Sequence, residues 1–130
     1  MIIGIGIDLI EVKRIKALLN KTNLGRIFTA QEMKYCRSKK NPAESFAARF
    51  AAKEAFLKAI GTGWGTAQSP KWNGVEVVNN KTRNSQLVIR NLRLSGKAKS
   101  ICWKLKVTRT HLSLTHTKDY AMAVVILEGE

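Results

Sequence analysis

Between Phe46 and Gly61 the chain reads FAARFAAKEAFLKAIG, and four charges interrupt an otherwise apolar run: Arg49, Lys53, Glu54 and Lys58. Glu54 precedes Lys58 by four positions, a spacing that puts both on one face of a helix. One reading is an i,i+4 ion pair on a solvated edge, contributing roughly a few tenths of a kcal/mol. The other is that Glu54, on the flank of a stripe formed by Phe46, Phe50 and Leu57, faces a cleft and binds a cation while nearby bases receive phosphates. The spacing leaves both open; a second carboxylate arriving from elsewhere would separate them. Asp8 is the candidate, because it follows the apolar run IIGIGI and would stand at a strand's C-terminal end, where side chains reach a crevice. DLIE is also a capping-box pattern with Asp8 as N-cap and Glu11 at N3, and the two roles are compatible.

Other residue types with chemical potential give weaker signals. In HLSLTHT alternate residues face opposite ways, so His116 shares a face with Leu112 and Leu114 and reads locally as a core histidine. No H-x-x-x-H or Cys/His cluster makes a zinc site, and no Ser–His–Asp arrangement can be assembled. Gly4 and Gly6 lack the third glycine of a dinucleotide fingerprint, and GTGWG lacks the Gly-Lys-Ser/Thr of a Walker A loop. Lys53 is expected in a solvated or interface position.

The elements that must position these residues follow from periodicity. IIGIGID is a β-branched run that predicts a strand ending at Asp8, and LIEVKRIKALLN predicts an amphipathic helix with Lys13, Arg14 and Lys16 on its polar face. Thr29 followed by Glu32 predicts a capped second helix. Asn41-Pro42 and Gly61 bracket a third, whose alanines allow close approach on a second side. After a Gly/Ser/Pro-rich loop (61–74) the period becomes two, predicting strands at 75–78, 86–94, 103–108, 111–117 and 120–127, with a tight turn in HTKDY. Strand, helices and then a run of strands predict a single α+β domain over 1–130, with a largely antiparallel sheet and a long central helix.

Composition bounds the function. The 130 residues suffice for one core, and 45% hydrophobic content argues against disorder. Lys and Arg total 23 against 9 acidic residues, a net charge of +14, which favours anionic partners. Cys36 and Cys102 suggest neither a disulfide framework nor a zinc site and fit a reducing compartment. No apolar run approaches the roughly 20 residues of a membrane span, and the N-terminus is not that of a signal peptide. A cytoplasmic protein with no membrane partner is expected.

Three stretches, GIGIDLIEVKRI, RFAAKEAFLKAIGTG and HLSLTHTKDYAMAVVI, resemble in this order the holo-acyl-carrier-protein synthases, a short type of 4′-phosphopantetheinyl transferase. The resemblance spans nearly the whole chain. It implies an α+β homotrimer with active sites between subunits. It also implies transfer of phosphopantetheine from coenzyme A to a serine of apo-acyl carrier protein, releasing adenosine 3′,5′-bisphosphate, in support of fatty acid biosynthesis. By resemblance Asp8 and Glu54 bind Mg2+, Lys58 contacts coenzyme A phosphates, Arg49 and His116 line the coenzyme A site, and Arg14 lies on the helix that docks the acidic carrier protein. Glu54 and Lys58 are then the catalytic residues. Magnesium prefers a few carboxylates, waters and phosphate oxygens, which suits this pair; the serine proton goes to Glu54 or to a metal-bound water.

Many members of that family carry a Gly-Lys-Pro turn between two middle strands, where this chain reads KTRNSQLVI, so no adenine-side contacts are assigned there. LSGKAKSICWKLKVTRT is unusually basic. The rival reading is a basic nucleic-acid-binding module. Against it, the central helix sets a carboxylate among its bases, and no aromatic–basic stacking motif is visible, so no nucleic acid is expected as a partner. A third reading is a non-catalytic partner of an acidic protein.

Overall fold

The computed structural model describes residues 1–21, 23–61, 69–81 and 88–130, and the side chains of these except at 81, 88 and 89. In chain order the elements are β1 (Ile2–Glu11), α1 (Val12–Leu19), α2 (Ala30–Arg37), α3 (Pro42–Ile60), β2 (Val75–Lys81), β3 (Val88–Leu94), α4 (Gly96–Lys104), β4 (Val107–His116) and β5 (Tyr120–Gly129). Two sheets result, both antiparallel: a three-stranded one in the order β1-β5-β4 and the hairpin β2-β3. The α+β expectation holds. Most of the loop expected over 61–74, and the strand start expected at 86, lie outside the described residues.

The three-stranded sheet has two different faces because its strands alternate. Ala121, Ala123, Val125 and Leu127 of β5 are buried and look inward, as do Gly4, Gly6 and Ile10 of β1. Against this inner face lies α3. Pro42 occupies its first turn, and Gly61, at φ +78°, ends it with its N–H shared between the carbonyls of Leu57 and Lys58. Its alanines are buried around most of its circumference, as the close-approach expectation requires. Phe46 meets Phe28 edge-on at 4.9 Å and Phe50 stacks on Trp72 at 4.8 Å, which ties the helix to the segments flanking it.

Three expectations are corrected. Strand β1 does not end at Asp8 but continues to Glu11, because β5 pairs with it over the whole length, Asp8 opposite Ala123 and Glu11 opposite Tyr120. The DLIE capping box therefore does not form; α1 starts at Val12, with Glu11 in the N-cap position and no side-chain cap. The predicted strands 103–108 and 111–117 are one strand, β4, and Trp103 and Lys104 belong instead to the unpredicted helix α4. Only Ala98 and Cys102 are buried on α4, two small residues four apart among lysines, too faint a stripe to outweigh the alternation that follows. Lys106, at φ +62°, makes the left-handed turn between α4 and β4. The capping box at Thr29 and Glu32 forms fully, and Thr117 N–H donates to the Tyr120 carbonyl at 2.7 Å in the predicted turn.

Candidate active site

The site is made by how closely β1 approaches α3. A Cβ added to Gly6 would overlap the carbonyl oxygen of Ala55, and one added to Gly4 would overlap that of Ala59. Gly4, Gly6 and Asp8 share one face of β1; Ala55 and Ala59 are one turn apart on α3. Glycines facing alanines thus let backbone meet backbone, and the residues next in line are carried together. Lys58 Nζ lies 3.2 Å from Asp8 Oδ1 and donates to the Ile7 carbonyl at 3.0 Å. Asp8 is largely shielded, its side chain 15% exposed, while that of Lys58 is 55% exposed. Glu54 lies one turn before Lys58 on the same helix, partly exposed. Asp8 reaches α3 from the middle of a strand, not from its end, and the effect is the one a strand end was expected to give.

Toward its N-terminus α3 borders a second feature. Arg49, His116, Tyr35, Lys39 and Arg90 line a cleft of about 280 Å³, and a neighbouring cleft of about 590 Å³ shares Tyr35, Lys39 and Arg90 with it. The Arg49 guanidinium lies over the Tyr35 ring at 4.3 Å. Arg49 is 2% exposed, and its Nη2, like Nε of Arg90, has no hydrogen-bond partner among the described residues. Burial would raise the Tyr35 phenol's pKa, but the hydrogen bond from Arg90 and the charges of Arg49, Arg90 and Lys39 bring it below its ordinary value. The cleft is therefore strongly electropositive. His116 does not join the core with Leu112 and Leu114. It stands exposed at the rim, with Nδ1 3.1 Å from Glu44 Oε1. In the sheet, Asp8 and His116 are two strands apart and offset by two residues.

Lys53 corrects the remaining expectation. It is fully buried, not solvated: Nζ pairs with Glu32 Oε1 at 2.9 Å and donates to the carbonyls of Trp72 at 3.1 Å and Val75 at 2.6 Å. Burial pulls its pKa down, and the charge and hydrogen bond of Glu32 offset this in part. Glu32 Oε2 also accepts the Val77 N–H at 3.0 Å. The network ties α2 and the start of β2 to α3 on the side away from Asp8. Sequence reasoning missed this use of Glu32, and it missed Tyr35, Arg90 and Glu44 in the cleft, because each gains its role from a partner distant in sequence. Arg14 lies apart from both features, exposed with Lys13 and Lys16 on the outer face of α1.

Among the described residues no group of three or more His, Cys, Asp and Glu side chains could hold a metal. Asp8 and Glu54 offer two carboxylates on facing elements, a hard oxygen donor set that fits Mg2+, which keeps several waters and takes its remaining ligands from phosphate.

The profile of the 4′-phosphopantetheinyl transferase superfamily matches residues 4–125. Holo-[acyl-carrier-protein] synthase of Koribacter versatilis is 45% identical, covering 98% of this chain and 99% of the relative. That of Geobacter sulfurreducens is 41% identical over 98% of each chain. Among solved structures, holo-[acyl-carrier-protein] synthase from Neisseria meningitidis superposes with a TM-score of 0.82 at 31% identity, covering 98% of this chain and 99% of its own. The enzyme from Bacillus anthracis, solved in complex with CoA (3′,5′-ADP), gives a TM-score of 0.76 at 37% identity, covering 100% of this chain and 99% of its own.

Proposed function

The chain belongs to the 4′-phosphopantetheinyl transferase superfamily, and from that premise we propose how its residues move the 4′-phosphopantetheine of coenzyme A onto a serine of apo-acyl carrier protein. The observation that carries the reading is the glycine–alanine contact of β1 with α3, which brings Asp8 to Lys58 and to the helix face of Glu54. Asp8 and Glu54 would hold Mg2+, which would supply charge withdrawal at the attacked phosphorus and the leaving bisphosphate. Lys58, long and half exposed, carries its ammonium from Asp8 to the pyrophosphate as a point charge. Arg49 and His116 receive further coenzyme A phosphates in the electropositive cleft; the buried guanidinium nitrogen of Arg49, which has no partner among the described residues, supports an anion there, since an unpaired buried donor is costly. Arg14, with Lys13 and Lys16, offers an acidic carrier protein a basic face, steering its approach.

Incubation with apo-acyl carrier protein, coenzyme A and Mg2+ tests the reading by mass spectrometry. A gain of one phosphopantetheine is expected, lost with a chelator and regained with Mg2+; an unmodified competent carrier overturns it. Neither of the two relatives nor the two structures named above is a nucleic-acid-binding module, and the basic-module reading gains nothing from them. Support for fatty acid biosynthesis, and a cytoplasmic location, follow from the same reading; among the described residues no helix is long and apolar enough to cross a membrane.

We also infer a homotrimer. The outer face of the three-stranded sheet exposes Ile5, Ile7 and Leu9 at 59%, 54% and 62%, with Val124 and Met122 in register beside Ile7 and Leu9. A contiguous apolar sheet face of this kind calls for a partner, and a second and third copy supply it in the family's fashion.

A further inference from the structure

We propose that the shoulder formed by α4 and the start of β4 docks on an anionic lipid bilayer. Trp103 is 81% exposed and Leu105 39%. Near them in the chain, from position 99 to 106, stand Lys99, Lys104 and Lys106, with no acidic residue in that stretch. The presentation is fixed. Ala98 and Cys102 anchor α4 to the core, and the Lys106 N–H donates to the Trp103 carbonyl at 3.0 Å, closing the turn that carries both side chains.

An indole beside a leucine, with the long cationic stems of Lys104 and Lys106 next to it, has two requirements at once. The apolar tips need the boundary between headgroups and acyl chains, where tryptophan is enriched. The ammonium groups need anions at the level of the headgroups, and their methylene stems can reach them. An anionic bilayer surface meets both at once; an acidic protein surface does so only where it also offers an apolar pocket for the indole. Beside Trp103 a depression of about 590 Å³, bordered by Lys104, Lys106, Thr108 and Glu130, has room for a headgroup. Trp103, Leu105 and these lysines precede β4 and so lie off the outer sheet face assigned to other copies. The shoulder stands at the opposite end of β4 from His116, about 30 Å along a ten-residue strand, so lipid contact leaves the transfer site open. The expectation of no membrane partner rested on the missing span, which surface contact does not need.

The test is co-sedimentation of the full chain with vesicles of phosphatidylcholine, alone or mixed with phosphatidylglycerol, at low and high salt. Binding is expected only to the mixed vesicles and is expected to weaken as salt rises. Trp103→Ala should abolish most of it, and Lys99→Gln with Lys104→Gln should weaken it about 25-fold, about fivefold per lysine. Both variants should retain transfer to soluble carrier protein. No binding to mixed vesicles, or equal binding by Trp103→Ala, overturns the proposal. So does loss of carrier-protein affinity in Trp103→Ala, which would make the shoulder a protein-docking surface.

Discussion

At the scale of single residues, the four charges of the central helix separate into distinct roles. Glu54 and Lys58 are the ones proposed to serve the chemistry, Arg49 borders a cleft proposed to take an anion, and Lys53 lies in the core. Glu54→Gln keeps size and polarity but removes the charge proposed to hold Mg2+; transfer should fall at least about 100-fold while the melting temperature changes little. Normal turnover in that variant would remove Glu54 from the mechanism. Lys53→Met should do the reverse. It leaves the Glu32 carboxylate buried without its cation, a loss of about 3–5 kcal/mol of stability, read as a drop in the denaturant midpoint. Tyr35 gives a pH signature. Because its pKa is lowered on folding, the unfolded chain binds more protons between the folded value and 10.0. Its contribution to stability is therefore absent at neutral pH and grows as pH rises through that window. Ultraviolet titration should show one early tyrosine transition that moves back toward the ordinary value in Arg90→Gln. The thiols of Cys36 and Cys102, pushed up by burial to about 12 and about 11, should stay unreactive toward disulfide reagents at neutral pH until the chain unfolds.

At the scale of elements, the site depends on one interface, β1 against α3. Gly6→Ala sets a methyl group against the Ala55 carbonyl, and backbone cannot step aside as a side chain can. Overpacking of this kind costs about 1–3 kcal/mol. Transfer should suffer more than stability does, since a displacement of about 1 Å in a reacting site can cost about 100-fold. Equal losses in the melting temperature and in kcat, scaled to the unfolded fraction, would make Gly6 a packing residue only. Pattern in the chain conveyed the existence of β1, α1, α2, α3 and β5 because each has a clear period or a terminal signal. It misplaced the end of β1 because a capping pattern is local, whereas the pairing with β5 that overrides it spans more than 100 positions.

For the whole molecule, the apolar outer face of the sheet and the positive surface are the features proposed to direct assembly and encounter. Light scattering should give three times the mass of one chain. Ile7→Glu, a charge at the centre of that face, should give single chains with little transfer activity, because sites proposed to lie between subunits are then incomplete. A trimer that persists in Ile7→Glu would place the interface elsewhere. A net charge of +14 should make encounter with an acidic carrier protein fall steeply as salt rises.

What the sequence determined by itself is what short-range physics can write. The α+β order comes from hydrophobic period, the helix ends from Thr29, Pro42 and Gly61, and the candidacy of Asp8, Glu54 and Lys58 from residue type and spacing, sharpened by family resemblance. Only the tertiary structure set Lys58 on Asp8 across a glycine–alanine contact, which supports the proposed site reading of the Glu54–Lys58 pair. It also sent Lys53 inward and Arg49 to a cleft, although both sit on the same helix at similar spacing. The reason is that a charge's role depends on what faces it. Tyr35, Glu32 and Ile7 lie 14, 21 and 51 positions along the chain from Arg49, Lys53 and Lys58, and no local pattern encodes which of them a side chain will meet.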